Sequence, residues 1–256
     1  MNNMKTLFTI VLVCFFAAQA DAQVKKPVVK KSTTQKTMVK PASTAGRKPV
    51  GKGNPNAPRL IRVPGVRVKI TTDSGVMVIR LYDKTPQHRD NFIKLANEHF
   101  FDSLLFHRVI SGFMIQGGDP QSKYAQPGQM LGSGDVGYTI PAEFDTSLYH
   151  KKGALSAART NNPEKASSGC QFYIVQGRNV TDEELNMTEM QKGIKYSAAK
   201  RKMYKTMGGT PFLDMDYTVF GEVESGLEVI DKIASVQKGA ADRPLGDVRM
   251  FVEVIK

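Results

Sequence analysis

Residues 106–119 read Phe106-His107-Arg108-Val109-Ile110-Ser111-Gly112-Phe113-Met114-Ile115-Gln116-Gly117-Gly118-Asp119. A strand beginning here alternates, so Phe106, Arg108 and Ile110 share one face and an arginine sits among apolar side chains. An arginine in such company needs a partner, and Gln116 is placed to hold its guanidinium. Arg108, Phe113, Met114 and Gln116 together put one strong hydrogen-bond donor beside apolar groups. The spacing alone also admits a plainer reading, in which Arg108 caps carbonyls inside a barrel.

Outward from this stretch the chain is mostly short β runs. Val66–Ile70 and Val76–Leu81 alternate around Asp73-Ser74-Gly75, which predicts a β-hairpin. Gly153–Ala157, Gln171–Gln176, Thr218–Val223 and Met250–Ile255 are further β-rich runs. Thr85-Pro86 predicts a helix start with Thr85 at N-cap and Pro86 at N1, and Phe92, Leu95, Ala96 and His99 at helical spacing predict its buried face. Ser225-Gly226-Leu227-Glu228 has the form of a capping box for a second helix, with Leu227, Ile230 and Ile233 or Ala234 inward. Thr181–Gly209 interrupts the β pattern with helix formers, its own capping box Thr181-Asp182-Glu183-Glu184, and a Gly208-Gly209 stop. The expected fold is mainly β: an antiparallel barrel with helices closing its ends and a helical insertion over 181–209 on its surface.

The 256 residues suffice for one domain with a sizeable core. Of the net charge of +12, residues 23–59 hold +10 in eight Lys and two Arg with no acid, and residues 60–256 only +2. The basic character therefore belongs to a segment. Met1–Lys5 is short and positive, Leu7–Ala18 is an apolar run too short to span a bilayer, and Ala20-Asp21-Ala22 is a small-x-small cleavage pattern. These features predict a signal peptide over 1–22 and an exported, periplasmic protein. Residues 23–59, with five prolines, Lys pairs and no aromatic residue, predict a flexible linker. Charge would let it touch anionic surfaces, but without interleaved aromatics to stack bases nucleic acid is not an expected partner. The folded domain is expected over 60–256.

Chemistry is constrained mainly by what is missing. Cys14 and Cys170 make no disulfide framework, and Cys170 reads as a small core residue. His88, His99, His107 and His150 lack H-E-x-x-H spacing and cysteine partners, so no metal is expected. There is no G-x-S-x-G elbow, Walker-type loop or cofactor fingerprint, so no cofactor is expected. An enzyme made from this chain would work with neither nucleophile nor metal.

The segment Phe101–Gly118 resembles the cyclophilin signature, with Phe101, Leu104, Phe106-His107-Arg108, Phe113-Met114, Gln116 and Gly117-Gly118 at its spacing. The similarity runs over residues 66–256 through Gly153–Ala158, Ser168–Val175, Phe212-Leu213-Asp214 and Tyr217–Gly221. It implies an eight-stranded antiparallel barrel capped by two helices, and peptidyl-prolyl cis–trans isomerase activity on proline-containing polypeptide clients. A monomer is expected. By resemblance Arg108 is the catalytic arginine and Gln116 its orienting partner. Phe113, Met114, Tyr173 and Leu213 match the pocket for the proline ring, while Ala158, Arg159 and Gln171 match the groove for the substrate backbone. Four positions depart from common family residues: Tyr173 replaces Phe, Phe212 a groove-rim Trp, Tyr217 a His, and Arg159 an Asn.

Overall fold

The computed structural model describes residues 65–255, so the signal-peptide and linker expectations for 1–59 lie outside the described residues. The hairpin forms as the alternation predicts. Strand β1 (Arg67–Thr72) pairs antiparallel with β2 (Gly75–Leu81), from Arg67 opposite Arg80 to Thr72 opposite Gly75. One face of the pair, Val68, Ile70, Met77, Ile79 and Leu81, is fully buried. Strands β3 (Phe106–Ile110), β4 (Met114–Gly117), β6 (Ala154–Ala157), β8 (Phe172–Val175), β9 (Val219–Ser225) and β10 (Phe251–Ile255) complete an eight-stranded antiparallel sheet. Its order is β10-β1-β2-β9-β6-β8-β4-β3. The sheet curls until its edges meet: Leu105 bridges Arg249, and Phe106 N–H donates to the Val248 carbonyl at 2.9 Å. A two-stranded ribbon, β5 (Thr139–Ile140) with β7 (Ser167–Ser168), lies apart in the pairing and carried no signal in the sequence.

Two helices cover the core. Helix α1 (Pro86–Asn97) buries His88, Phe92, Leu95 and Ala96. Phe92 stacks on Phe101 at 4.8 Å and meets Phe172 edge-on at 5.4 Å. His99 is not on the buried face: the helix ends at Asn97 and His99 turns to φ 55° in solvent. Thr85 is the N-cap as expected, but its hydroxyl does not cap. The Glu143 carboxylate does so from 56 residues away, accepting from Gln87 N and His88 N at 3.1 and 3.0 Å. Helix α4 (Leu227–Ala234) buries Val229, Ile230, Ile233 and Ala234. The capping box expected at 225–228 is not formed. Ser225 is still in β9, and Gly226, at φ 87°, is the N-cap without a side-chain bond. Chain direction reverses in that one residue, which leaves a serine hydroxyl no way to reach the first turn.

The stretch 181–209 forms two helices, α2 (Asp182–Lys192) and α3 (Ala198–Thr206). The predicted capping box is present, with Thr181 and Glu184 bonding each other's backbone N–H. Val180, Leu185, Tyr196 and Tyr204 make a small apolar cluster of their own. The insertion therefore carries its own core rather than extending the barrel's.

Candidate active site

The site is assembled by neighbouring strands. Met114 is on β4 and Tyr173 on β8, which pair with Gln116 opposite Tyr173. Arg108, on β3, lies directly opposite Gln116. Phe113 ends the β3–β4 turn, Leu213 closes a 3₁₀ turn (Pro211–Leu213), and Ala158 follows β6. These residues, with Gln116, Arg159 and Tyr217, line one cavity of about 160 Å³. That is well below the roughly 300–1,000 Å³ of a drug-sized site and of the order of a single side chain. Met114, Tyr173 and Leu213 are buried and pack in one cluster with Phe113 and Tyr217 alongside, so the cavity has an apolar wall.

Two of the eleven residues expected at the site lie just outside this cavity. Phe212 is 55% exposed and packs on Phe113 with ring centroids 5.7 Å apart, which makes it a rim residue. Gln171 lines an adjoining cavity of about 150 Å³, shared with Gln116, Ala158 and Arg159. Arg159 stands between the two cavities. Its Nε donates to the Asp216 carbonyl at 2.9 Å and its guanidinium lies 4.6 Å from the Tyr217 ring centre.

The partner expected for Arg108 differs. Gln116 Nε2 donates to Gln171 Oε1 at 3.0 Å rather than holding the guanidinium. Gln171 in turn donates to the carbonyls of Gly132 and Gly134 at 3.0 and 2.8 Å, which fixes its amide and directs its oxygen at Gln116. Arg108 is 44% exposed, not half-buried in a barrel, and its Nε lies 3.6 Å from Asp242 Oδ2. That is an ion pair beyond hydrogen-bonding distance. Among the described residues Arg108 makes no hydrogen bond; its Nε faces Asp242 and its side chain lines the cavity.

Sequence reasoning missed the polar layer behind the wall. The Tyr173 hydroxyl lies 3.0 Å from His150 Nε2, and His150 Nδ1 lies 2.7 Å from Asp214 Oδ1. Burial pushes the Tyr173 hydroxyl well above its ordinary pKa, so it stays a donor. Asp214 is also buried, which alone would raise its pKa, yet bonds from His150 and Tyr204 hold the carboxyl below the ordinary range. Cys170 is buried and its thiol is pushed up to about 11, as suits the core residue expected. Asp242 was missed because 134 positions of chain separate it from Arg108.

The architecture is an eight-stranded antiparallel barrel with Arg108 lining a cavity of the order of a single side chain. The profile of the family described as cyclophilin type peptidyl-prolyl cis-trans isomerase/CLD matches residues 67–254. A Staphylococcus haemolyticus protein, provisionally described as a peptidyl-prolyl cis-trans isomerase, is 35% identical over 184 residues, 72% of this chain and 87% of its own length. A Streptococcus pyogenes protein, provisionally described as a bifunctional phosphatase/peptidyl-prolyl cis-trans isomerase, is 38% identical over 195 residues. Those residues are 75% of this chain but 38% of the streptococcal protein, so this chain spans well under half its length. The crystal structure of a Cryptosporidium parvum cyclophilin type isomerase shares the fold at TM-score 0.56 and 22% identity, over 75% of this chain and 99% of that one. The chain belongs to the cyclophilin-type peptidyl-prolyl cis–trans isomerase family and is an enzyme of that class.

Proposed function

We propose that the cavity receives the proline ring of a polypeptide and that Arg108 drives rotation about the preceding peptide bond. The observation that carries this reading is an arginine without a hydrogen bond among the described residues, lining one cavity with the apolar wall of Phe113, Met114, Tyr173 and Leu213. The X–Pro bond is slow to rotate because the nitrogen lone pair conjugates with the carbonyl, and the uncatalysed process takes tens to hundreds of seconds. As the bond twists, the lone pair localises on nitrogen. A guanidinium N–H can then donate to it, which favours the twisted state over both planar ones. Phe113, Met114 and Leu213 hold the ring while the rest of the peptide turns. Gln171, Ala158 and Arg159 line the adjoining cavity, where the chain preceding the proline runs. Gln116, locked to Gln171, keeps that cavity and the Arg108 strand in register. A hundred-thousandfold acceleration requires about 7 kcal/mol, and one charged donor in a site closed by substrate supplies roughly 3 to 4 of it.

The clients on this reading are proline-containing exported polypeptides in the periplasm, whose folding the enzyme assists as a monomer. What supports this is the cleavable apolar run of residues 1–22 and the basic, proline-rich stretch 23–59, which would hold the catalytic domain near anionic surfaces by charge. Protease-coupled isomerisation of a short X–Pro peptide tests the mechanism. Arg108→Ala is expected to keep the wild-type circular dichroism and lose on the order of a hundredfold or more in kcat/KM. Wild-type turnover in that variant would remove Arg108 from the mechanism.

A further inference from the structure

Behind the apolar wall, one carboxylate gathers four donors from three residues. Asp214 Oδ1 accepts from His150 N at 2.9 Å and from His150 Nδ1 at 2.7 Å. Its Oδ2 accepts from the hydroxyls of Tyr196 at 2.7 Å and Tyr204 at 2.6 Å, both supplied by the 181–209 insertion. All of these groups are buried, His150 and Tyr204 completely. With Asp214 ionised, His150 Nδ1 donates to its carboxylate, and Nε2 shares a hydrogen bond with the Tyr173 hydroxyl at 3.0 Å. The Tyr173 hydroxyl is thereby spent on a residue that lines no part of the cavity, and its ring is left as the wall. Asp214 also follows Leu213 directly, and its N–H bonds the Pro211 carbonyl at 3.0 Å. The same residue therefore reaches both sides of the cavity, β8 through its side chain and His150, and the 3₁₀ turn through its backbone.

We propose that the 181–209 insertion is a positioning device for the prolyl cavity, with Tyr196 and Tyr204 acting through Asp214 and His150 on the Tyr173 wall. An insertion that only decorated the barrel would end its aromatic side chains in apolar contacts. Here both hydroxyls go to one oxygen of a carboxylate that is 3% exposed. The junction is close: Gly209 passes with φ 157° where a Cβ would lie 2.3 Å from the His150 carbonyl and 2.6 Å from the Tyr204 ring. Without the two phenols Oδ2 is a buried acceptor lacking partners, a state costly enough to move the side chain. Asp214 then stops orienting His150, and Tyr173 loses the partner that keeps its hydroxyl out of the cavity. Because the wall contacts the ring equally in the planar and twisted states, the loss falls on binding and not on the chemical step.

The inference rests on the cavity being the prolyl site, and a double-mutant cycle tests the coupling. In Tyr196→Phe/Tyr204→Phe, KM for a short Ala-Pro peptide is expected to rise about fivefold with kcat within about twofold. In a Tyr173→Phe background the same pair of substitutions is expected to change KM by less than about 1.5-fold, since the hydroxyl they act through is gone. An equal rise in both backgrounds, or a lowered melting temperature with KM unchanged, would overturn the proposal. Should the double variant not fold, Tyr204→Phe alone removes a single oxygen from a ring packed against Tyr149 and Tyr196, and about a twofold rise abolished by Tyr173→Phe is expected. Failure of the isomerase mechanism is read separately, as turnover that survives Arg108→Ala, and the cycle is then scored on the calorimetric Kd of the same peptide.

Discussion

At the scale of single residues, His107 shows how a signature position can serve stability rather than chemistry. It neighbours Arg108 in sequence, but its side chain is buried near Gly132, where it is 3% exposed and neither ring nitrogen has a hydrogen-bond partner among the described residues. Burial pushes its pKa down to about 4, the charge of Asp119 opposing and those of Arg108 and Arg243 reinforcing. The unfolded chain takes up this proton near pH 6.5 and the folded chain does not until about pH 4. Stability from His107 is therefore complete above about pH 6.5 and is lost as the pH falls toward 4, by up to about 3 kcal/mol. His88, also held down by burial, adds in the same direction. Urea unfolding near pH 7 and near pH 4.5 should show this loss, and His107→Asn should shrink the difference between the two conditions. A pH dependence identical in wild type and variant would mean that the ring is hydrated in the folded protein.

Elements in this fold are ended by tertiary contacts as often as by local signals. The capping box at Thr181–Glu184 formed because both partners lie within one turn, so nothing outside the segment was needed. Helix α1 starts where expected, at Thr85 and Pro86, but is capped by Glu143 across the molecule, and α4 starts at a glycine reversal instead of a capping box. At that reversal Gly226 adopts φ 87°, and a Cβ there would stand 2.2 Å from the Val76 carbonyl oxygen on the hairpin. Gly226→Ala must therefore displace backbone as well as occupy a left-handed conformation, and a loss of at least about 2 kcal/mol is expected. Denaturant titration at constant m-value checks it. A loss of only a few tenths would show that β9 and α4 can separate without disturbing the hairpin.

For the molecule as a whole, every member of the main core cluster lies between Val68 and Val252, and the barrel closes on itself through the Leu105–Arg249 bridge. That closure is made by residues within 65–255. A chain starting at Leu60 is accordingly expected to keep the melting temperature and the small-peptide kcat/KM of the full chain. A drop of more than about 5 °C, the shift of roughly 1 kcal/mol or more, would show that the stretch packs on the domain.

The sequence by itself determined the β class, the first hairpin, both core helices, the insertion's limits and the Arg108–Gln116 part of the cavity, while Ala158, Arg159, Tyr173, Leu213 and Tyr217 were expected there only through the family resemblance. Those features are local: period-two burial, period-3.6 burial and turn residues act within about a dozen positions, and Arg108, Met114 and Gln116 fall on two adjoining strands with Phe113 in the turn between them. What the tertiary structure decided is which polar groups meet. Gln116 Oε1 could have accepted from Arg108, its cross-strand neighbour, but Gln116 is drawn through its Nε2 to Gln171, itself fixed by two loop carbonyls, and Arg108 pairs with Asp242 instead. His150, Tyr173 and Asp214 are separated by 23 and 64 positions of chain from His150 outward, and no periodicity links them. Hydrogen bonds reach about 3 Å and respond to angle, so their pairing is settled only when strands, turns and insertion have been docked. Apolar burial tolerates looser placement, and for that reason its pattern is already legible in the linear chain.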